Sequence, residues 1–278
     1  MSEKQIVLDL YRFHLHLIES DQIPIFPAEY TREELLENKN ALLYSTLENL
    51  YENTTDFPII QFNKNDETLI FGIANKKQLP YYQDFKKLSI SSEPFVYVVI
   101  NTNPESQKAG ISRNIEAFSS ESVALNVLLQ VFNKHLKKLG LKISFEKMYD
   151  KKEFWTLLNQ YSGKIKMLRF EIIKPNMSSI SHAIKDYLKP LIEQTNSQTT
   201  KVSLEADKGE TLNKIAPSNK ELNSLVEYTS EGGGNVVLRI NDQRKLIKSS
   251  DLSKTLVITE SELKGTKMSF DGWLEKFK

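Results

Sequence analysis

The chain of 278 residues is long enough to bury a large core in one or two domains. It has no cysteine, which excludes disulfides, thiolate catalysis and cysteine-ligated metal centres. Its 37 basic and 36 acidic residues nearly cancel over the whole chain. They are unevenly spread, because residues 1–100 hold 9 basic against 15 acidic side chains and residues 101–190 hold 15 against 8. The chain therefore has an acidic front and a basic middle.

The N-terminal residues lack the basic-then-apolar plan of a signal peptide, since Asp9 and Arg12 interrupt the first apolar run. No apolar run reaches the ~18 residues that a membrane-spanning helix needs. We expect a cytoplasmic protein that does not insert into a membrane.

The first hundred residues have the pattern of a sheet with one covering helix. Near-alternation of apolar and polar residues predicts a strand over Ile6–Ile18. Thr31 and Glu34 form a capping-box pattern, which predicts a helix that continues to about Tyr51. Further strands are predicted at Pro58–Phe62, Thr68–Ile73, Phe95–Ile100 and Ile111–Ile115.

From residue 119 onward, predicted helices and strands interleave. The helices are expected from Ser119 to a glycine cap at Gly140, and over Lys151–Tyr161, Ser178–Gln194 and Ser218–Tyr228. The strands are expected over Lys142–Met148, Ile165–Ile173, Lys201–Ala206, Val236–Ile240 and Thr255–Thr259. The sequence thus predicts an α+β protein of two domains, an acidic one at 1–110 and another at 111–278, each a mixed or mainly antiparallel sheet with packed helices.

Three patterns could carry chemistry, and each has a plainer structural explanation. The glycine run at 232–234 lies between a helix and a strand, the reverse of the order in phosphate-binding loops, so a sharp helix end explains it. The pairs Glu171 with Lys174 and Glu205 with Asp207 offer weak nuclease-like groups. The pair His14 and His16 shares a strand face, but no nearby acidic cluster completes a metal site.

The basic middle is the strongest functional pattern, because several cations on one surface can follow a phosphate backbone without reading the bases. Few arginines and no basic motif studded with aromatic residues argue against base-specific reading. On the strand Ile165–Ile173, alternation predicts one packed side and one mostly positive side. The candidate nucleic-acid-binding residues are Lys134, Lys137, Lys138, Lys142, Lys147, Lys151, Lys152, Lys164, Lys166, Arg169 and Lys174.

Three segments resemble a known family. The stretch Phe170-Glu-Ile-Ile-Lys-Pro175, the lysine-bearing helix Ser181–Leu188 and the stretch Val202–Leu212 are similar to phage-exclusion proteins of the lambda RexA type. The resemblance implies two domains, a homodimer and non-specific binding of duplex DNA in a phage-defence setting.

We therefore expect a protein that binds nucleic acid, with duplex DNA as the more natural target, as a sensor or effector in phage defence. We expect a binding protein rather than an enzyme, with no cofactor and no resident metal, and a homodimer that could work with a second, membrane-bound defence protein. Two alternatives stay open: an interaction subunit whose acidic front contacts another protein, and a metal-dependent nuclease.

Overall fold

The structure, a computed structural model, describes residues 3–18, 30–50, 57–174, 188–195, 197–241, 243–265, 272–273 and 277. The strands are β1 (Gln5–Leu17), β2 (Ile59–Lys64), β3 (Thr68–Ala74), β4 (Lys77–Gln83), β5 (Lys86–Ser92), β6 (Phe95–Asn101), β7 (Lys108–Ser112), β8 (Leu141–Lys147), β9 (Ile165–Ile173), β10 (Thr199–Glu205), β11 (Gly234–Ile240), β12 (Ile247–Lys248) and β13 (Thr255–Thr259). The helices are α1 (Arg32–Glu48), α2 (Glu121–Leu136), α3 (Lys151–Gln160), α4 (Leu188–Gln194), α5 (Lys220–Tyr228) and α6 (Glu260–Lys264).

These strands form three sheets. Seven strands make the largest, in the order β13-β1-β7-β6-β3-β2 with β8 also paired to β1. A four-stranded sheet has the order β10-β9-β11-β12, and β4 and β5 form a separate two-stranded ribbon. The four-stranded sheet and the ribbon are antiparallel throughout. With its helices and antiparallel sheets, the protein is α+β, as predicted.

The chain forms two compact units, each assembled from segments distant in sequence. Unit 1 comprises residues 1–8, 14–144 and 256–278, and unit 2 comprises residues 9–13 and 145–255. These limits differ from the predicted domains at 1–110 and 111–278, which stay a prediction. In unit 2, one face of the four-stranded sheet is buried with the apolar sides of α3, α4 and α5. That core is made by Phe154, Leu158, Leu168, Phe170, Ile172, Ile192, Leu222, Val226, Val236 and Leu238.

Local signals in the sequence explain where several elements begin and end. Thr31 and Glu34 make both hydrogen bonds of the predicted capping box at the start of α1. Gly140 takes the left-handed conformation, with φ of 75°, at the end of the short turn that follows α2. On α1, Leu36 is 49% exposed and therefore does not belong to the core.

The C-terminal segment and the helix that begins at residue 188 are described only in part. In the C-terminal segment, Trp273 and Phe277 are buried, and the Trp273 indole donates to the Glu262 carbonyl at 2.9 Å. Of the predicted helix Ser178–Gln194, the part from residue 188 is helical, and residues 175–187 with His182 lie outside the described residues. No helix among the described residues is long and apolar enough to cross a membrane.

Candidate nucleic-acid interface

Three of the predicted lysines line one groove of unit 1. The groove has a volume of about 700 Å³ and lies between α2 with the turn after it and the start of β8. Its lining residues are Leu129, Gln130, Asn133, Lys134, Lys137 and Lys142. Four of them, from Gln130 to Lys137, are spaced i, i+3, i+4 and i+7, which places them on one face of the helical segment. The buried face of α2 carries Leu128, Val131 and Phe132 instead.

The side chain of Asn133 fixes this groove by joining α2 to β8. Its Oδ1 accepts the Ile143 backbone N–H at 2.8 Å, and its Nδ2 donates to the Ile143 carbonyl at 3.2 Å. This bidentate contact engages both backbone hydrogen-bonding groups of Ile143 and so ties β8 to α2. It also holds Lys142, the residue before Ile143, across the groove from Lys134 and Lys137.

The ammonium groups make the surroundings of the groove electropositive. The pKa of His135 is lowered, first by burial of the imidazole and then by the charges of Lys138 and Lys134. Lys134, Lys137, Lys138 and Lys142 are all exposed, so their ammonium groups can reach a ligand in solvent. Lysine presents a compact charge without the planar fork of arginine, which suits phosphate oxygens and does not select a base.

Lys138 lies in unit 1 but is not among the lining residues of this groove, and the remaining predicted residues lie in unit 2. Lys147 ends β8, while Lys151 and Lys152 begin α3. Lys151 pairs with Glu227, with 3.4 Å between Nζ and Oε2. Lys164 is exposed in the turn before β9, and Lys174 follows that strand.

The prediction of a mostly positive side on β9 is wrong. Leu168, Phe170 and Ile172 are buried in the core, so the even positions of the strand face inward. The opposite side carries one cation, Arg169, and one carboxylate, Glu171. Lys164, Lys166 and Lys174 are also at even positions, and they do not form one basic face because the even positions between them belong to the core.

The ammonium group of Lys166 makes a structural contact within unit 2. Its ammonium donates to the backbone carbonyls of Asp207, at 3.1 Å, and Glu210. It therefore holds the loop after β10 against β9. Glu171 is similarly engaged, because Lys201 on the neighbouring strand lies 3.4 Å from its carboxylate.

The glycine run at 232–234 allows a positive φ and close packing of the backbone in unit 2. After α5 the chain leaves the helical conformation at Glu231 and Gly232, and Gly232 has a φ of 83°. A Cβ at Gly232 would lie 2.4 Å from the Cβ of Arg12, whose guanidinium donates to the Glu231 carbonyl at 2.5 Å. A Cβ at Gly234 would lie 1.9 Å from the Glu171 carbonyl oxygen. Gly232, Gly233 and Gly234 are buried, so close packing explains the glycines and a solvent-facing phosphate loop does not.

Comparison with known proteins adds no family. A scan against protein-family models finds no match, and a search of curated proteins finds no significant similarity.

The candidate metal-binding groups are not arranged as a metal centre within the part of the chain that is described. His14 and His16 are stacked, with ring centroids 6.3 Å apart, and His16 Nε2 lies 3.0 Å from Ser144 Oγ. No group of three histidine, aspartate or glutamate side chains in that part is placed to hold a metal ion.

Sequence reasoning missed one titrating carboxylate, Glu146 on β8. Burial raises its pKa to about 7, and the nearby charge of Glu171 contributes in the same direction. Glu146 lies on β8 and Glu171 on β9, 25 positions later, so periodicity within either strand could not show their proximity.

The raised pKa of Glu146 predicts that the free energy of unfolding depends on pH. Since its folded pKa of about 7 lies above the ordinary value of 4.5, the folded state holds this proton more tightly than the unfolded state. Its contribution is fully present below pH 4.5 and is lost as the pH rises through 7. The loss amounts to about 3 kcal/mol at most, at 1.36 kcal/mol per pKa unit. We expect Glu146→Gln to raise the free energy of unfolding at pH 8 and to flatten its fall between pH 5 and 8.

Urea denaturation at several pH values between 5 and 8 measures this effect. Glu205→Gln is the control, because Glu205 is exposed at the end of β10 and the substitution removes the same charge. If Glu146→Gln and Glu205→Gln gave the same pH dependence, burial of Glu146 would not be its cause.

Proposed function

We propose that the protein binds nucleic acid without sequence specificity, with duplex DNA as its principal target, through the lysine groove of unit 1. The observation that carries the proposal is the convergence of Lys134, Lys137 and Lys142 on one groove with the amide of Gln130. Ammonium and amide groups are common donors to phosphate oxygens, and each neutralised phosphate releases condensed counterions. The groove contains no arginine and no aromatic side chain, which favours backbone contacts over base readout.

A role as sensor or effector in phage defence is part of the same proposal. It is supported by the resemblance of residues 170–175 and 202–212 to phage-exclusion proteins of the lambda RexA type. Plating phage on cells that carry the intact chain or a groove variant tests this part separately from DNA binding in vitro.

Binding to labelled duplex over a salt series tests the groove. We expect log K to fall linearly with log salt concentration, with a slope of about −0.9 for each phosphate contacted, so about −3 if the three groove lysines each contact one. Duplexes of unrelated sequence should bind with similar affinity. Absent binding, or binding that does not change with salt, would contradict the proposal and would favour an interaction subunit. Adding Mg²⁺ or Mn²⁺ to the same duplex tests for cleavage by a nuclease.

A further inference from the structure

The two walls of the lysine groove lie close together, because one side chain joins them. Asn133 on α2 contacts both backbone groups of Ile143 on β8, at 2.8 Å to the nitrogen and 3.2 Å to the carbonyl oxygen. At this point the backbones of the helix and the strand are separated by the length of an asparagine side chain and a hydrogen bond. The groove is therefore narrow in the direction that runs from α2 to β8.

The groove carries ammonium groups on both walls. Lys134 and Lys137 belong to the helical wall, where the spacing i, i+3 places their Cβ atoms roughly 5–6 Å apart. Lys142 belongs to the strand wall. Its neighbours Leu141 and Ile143 are buried while Lys142 is exposed, so its side chain projects from the strand away from the core. A ligand that lies between the walls is bordered by cations on two sides.

A duplex does not fit between these walls with one backbone on each. The two backbones of B-DNA are separated by a major groove about 12 Å wide and a minor groove about 6 Å wide. To hold them on opposite walls, α2 and β8 would have to be farther apart than one asparagine side chain can span. A single sugar–phosphate backbone needs no such separation. Lys134, Lys137 and Lys142 can then reach phosphates of the same strand.

The other residues of the groove agree with contact to a sugar–phosphate backbone. Leu129 offers an apolar surface on which a sugar can pack, and the Gln130 amide can donate to a phosphate oxygen. No aromatic side chain lines the groove, so the bases have no ring to stack on there. The groove therefore suits a strand of any sequence.

We propose that the groove holds a single sugar–phosphate strand, with Lys134 and Lys137 on one side of it and Lys142 on the other. The inference rests on the function proposed above and specifies its ligand: the site accepts single-stranded nucleic acid as well as one strand of a duplex. Because both ligands use the same three ammonium groups, they cannot occupy the groove together.

Competition between two probes tests this inference on the intact protein. Unlabelled oligothymidylate, which forms no base pairs of its own, is added to the protein bound to a labelled duplex. We expect the oligothymidylate to displace the duplex completely. Measured directly, its binding should weaken with salt, with a slope of log K against log salt of about −2, at about −0.7 for each of three phosphates.

The variant Lys142→Gln shows whether both walls contact the same strand. If they do, it should weaken the binding of oligothymidylate and of duplex by the same factor, about fivefold for an exposed charge contact. Lys134→Gln, on the opposite wall, should give the same equal losses. If each wall contacted a different strand of a duplex, Lys142→Gln would leave oligothymidylate bound to the helical wall unaffected. Lys208→Gln is the matched control, because Lys208 is exposed and lies in unit 2.

Two results would overturn this inference and leave the proposed function intact. One is a duplex that binds but is not displaced by oligothymidylate. The other is a Lys142→Gln variant that loses affinity for duplex and not for oligothymidylate. If neither probe binds, the proposed function fails, and this inference fails with it.

Discussion

Replacing Lys134, Lys137 and Lys142 together by glutamine is expected to lower the affinity for duplex DNA roughly 100-fold near physiological salt, at about 1 kcal/mol for each exposed charge contact. The slope of log K against log salt should become shallower by about 2.7, which is 0.9 for each phosphate that is no longer neutralised. Fluorescence anisotropy with a labelled duplex at several salt concentrations measures both quantities. The fold should survive, because all three side chains are exposed.

The control for this triple variant removes the same charge from another part of the chain. Lys208, Lys220 and Lys245 are exposed and lie in unit 2. Their replacement by glutamine should leave the salt slope within experimental error of the intact protein. If both triple variants reduced the affinity equally, binding would follow net charge, and the groove would not be the interface.

The largest expected effect on stability comes from Gly234→Ala. Gly234 has a φ of 142°, and an added Cβ would lie 1.9 Å from the carbonyl oxygen of Glu171 on β9. Since Gly234 is paired with Ile172 in the sheet, the clash can be relieved only by separating β11 from β9. We expect a loss of about 4 kcal/mol or more, which is a large part of the roughly 5–15 kcal/mol that ordinarily separates a folded protein from its unfolded state. Urea denaturation followed by circular dichroism measures the loss.

Gly209→Ala separates steric clash from backbone strain. Gly209 also has a positive φ, of 90°, but an added Cβ there meets nothing within 4 Å. This control should lose only the strain energy of a left-handed alanine, about 1 to 2 kcal/mol. Similar losses at both positions would show that the clash with Glu171 is unimportant.

Much of the fold could be predicted because many of its elements have one buried face or a local cap. The capping box at Thr31 and Glu34 and the amphipathic helices α2, α3 and α5 are examples. The strand at 6–18 was predicted from apolar alternation, although residues 8–15 are buried without a break, Asp9, Arg12 and His14 included. The ribbon at 77–92 gave no such signal. Both of its faces are exposed, and Pro80 lies within β4. Alternation of apolar residues usually indicates a strand with one face in the core, and these strands have no such face.

The candidate site was predictable in composition but not in geometry. Sequence reasoning selected Lys134, Lys137 and Lys142 together with eight other basic residues. The density of basic residues along the chain does not show which of them contact other groups of the protein. It could not show that Asn133 joins α2 to β8 and thereby makes a groove of three of them. Nor could it show that the ammonium of Lys166 is engaged by two backbone carbonyls, because those carbonyls lie about 40 positions away in sequence.

The pairing of β1 with β13 has a consequence for synthesis of the chain. The Glu260 backbone N–H donates to the Lys4 carbonyl, so this hydrogen bond joins positions 256 residues apart. At translation rates of about 5–20 residues per second, Lys4 emerges roughly 13 to 50 s before Glu260 is made. During that interval the β13 side of β1, a strand rich in leucine and aromatic residues, is open to other chains. Ribosome-bound intermediates of this protein should therefore depend on chaperones more than the finished chain does.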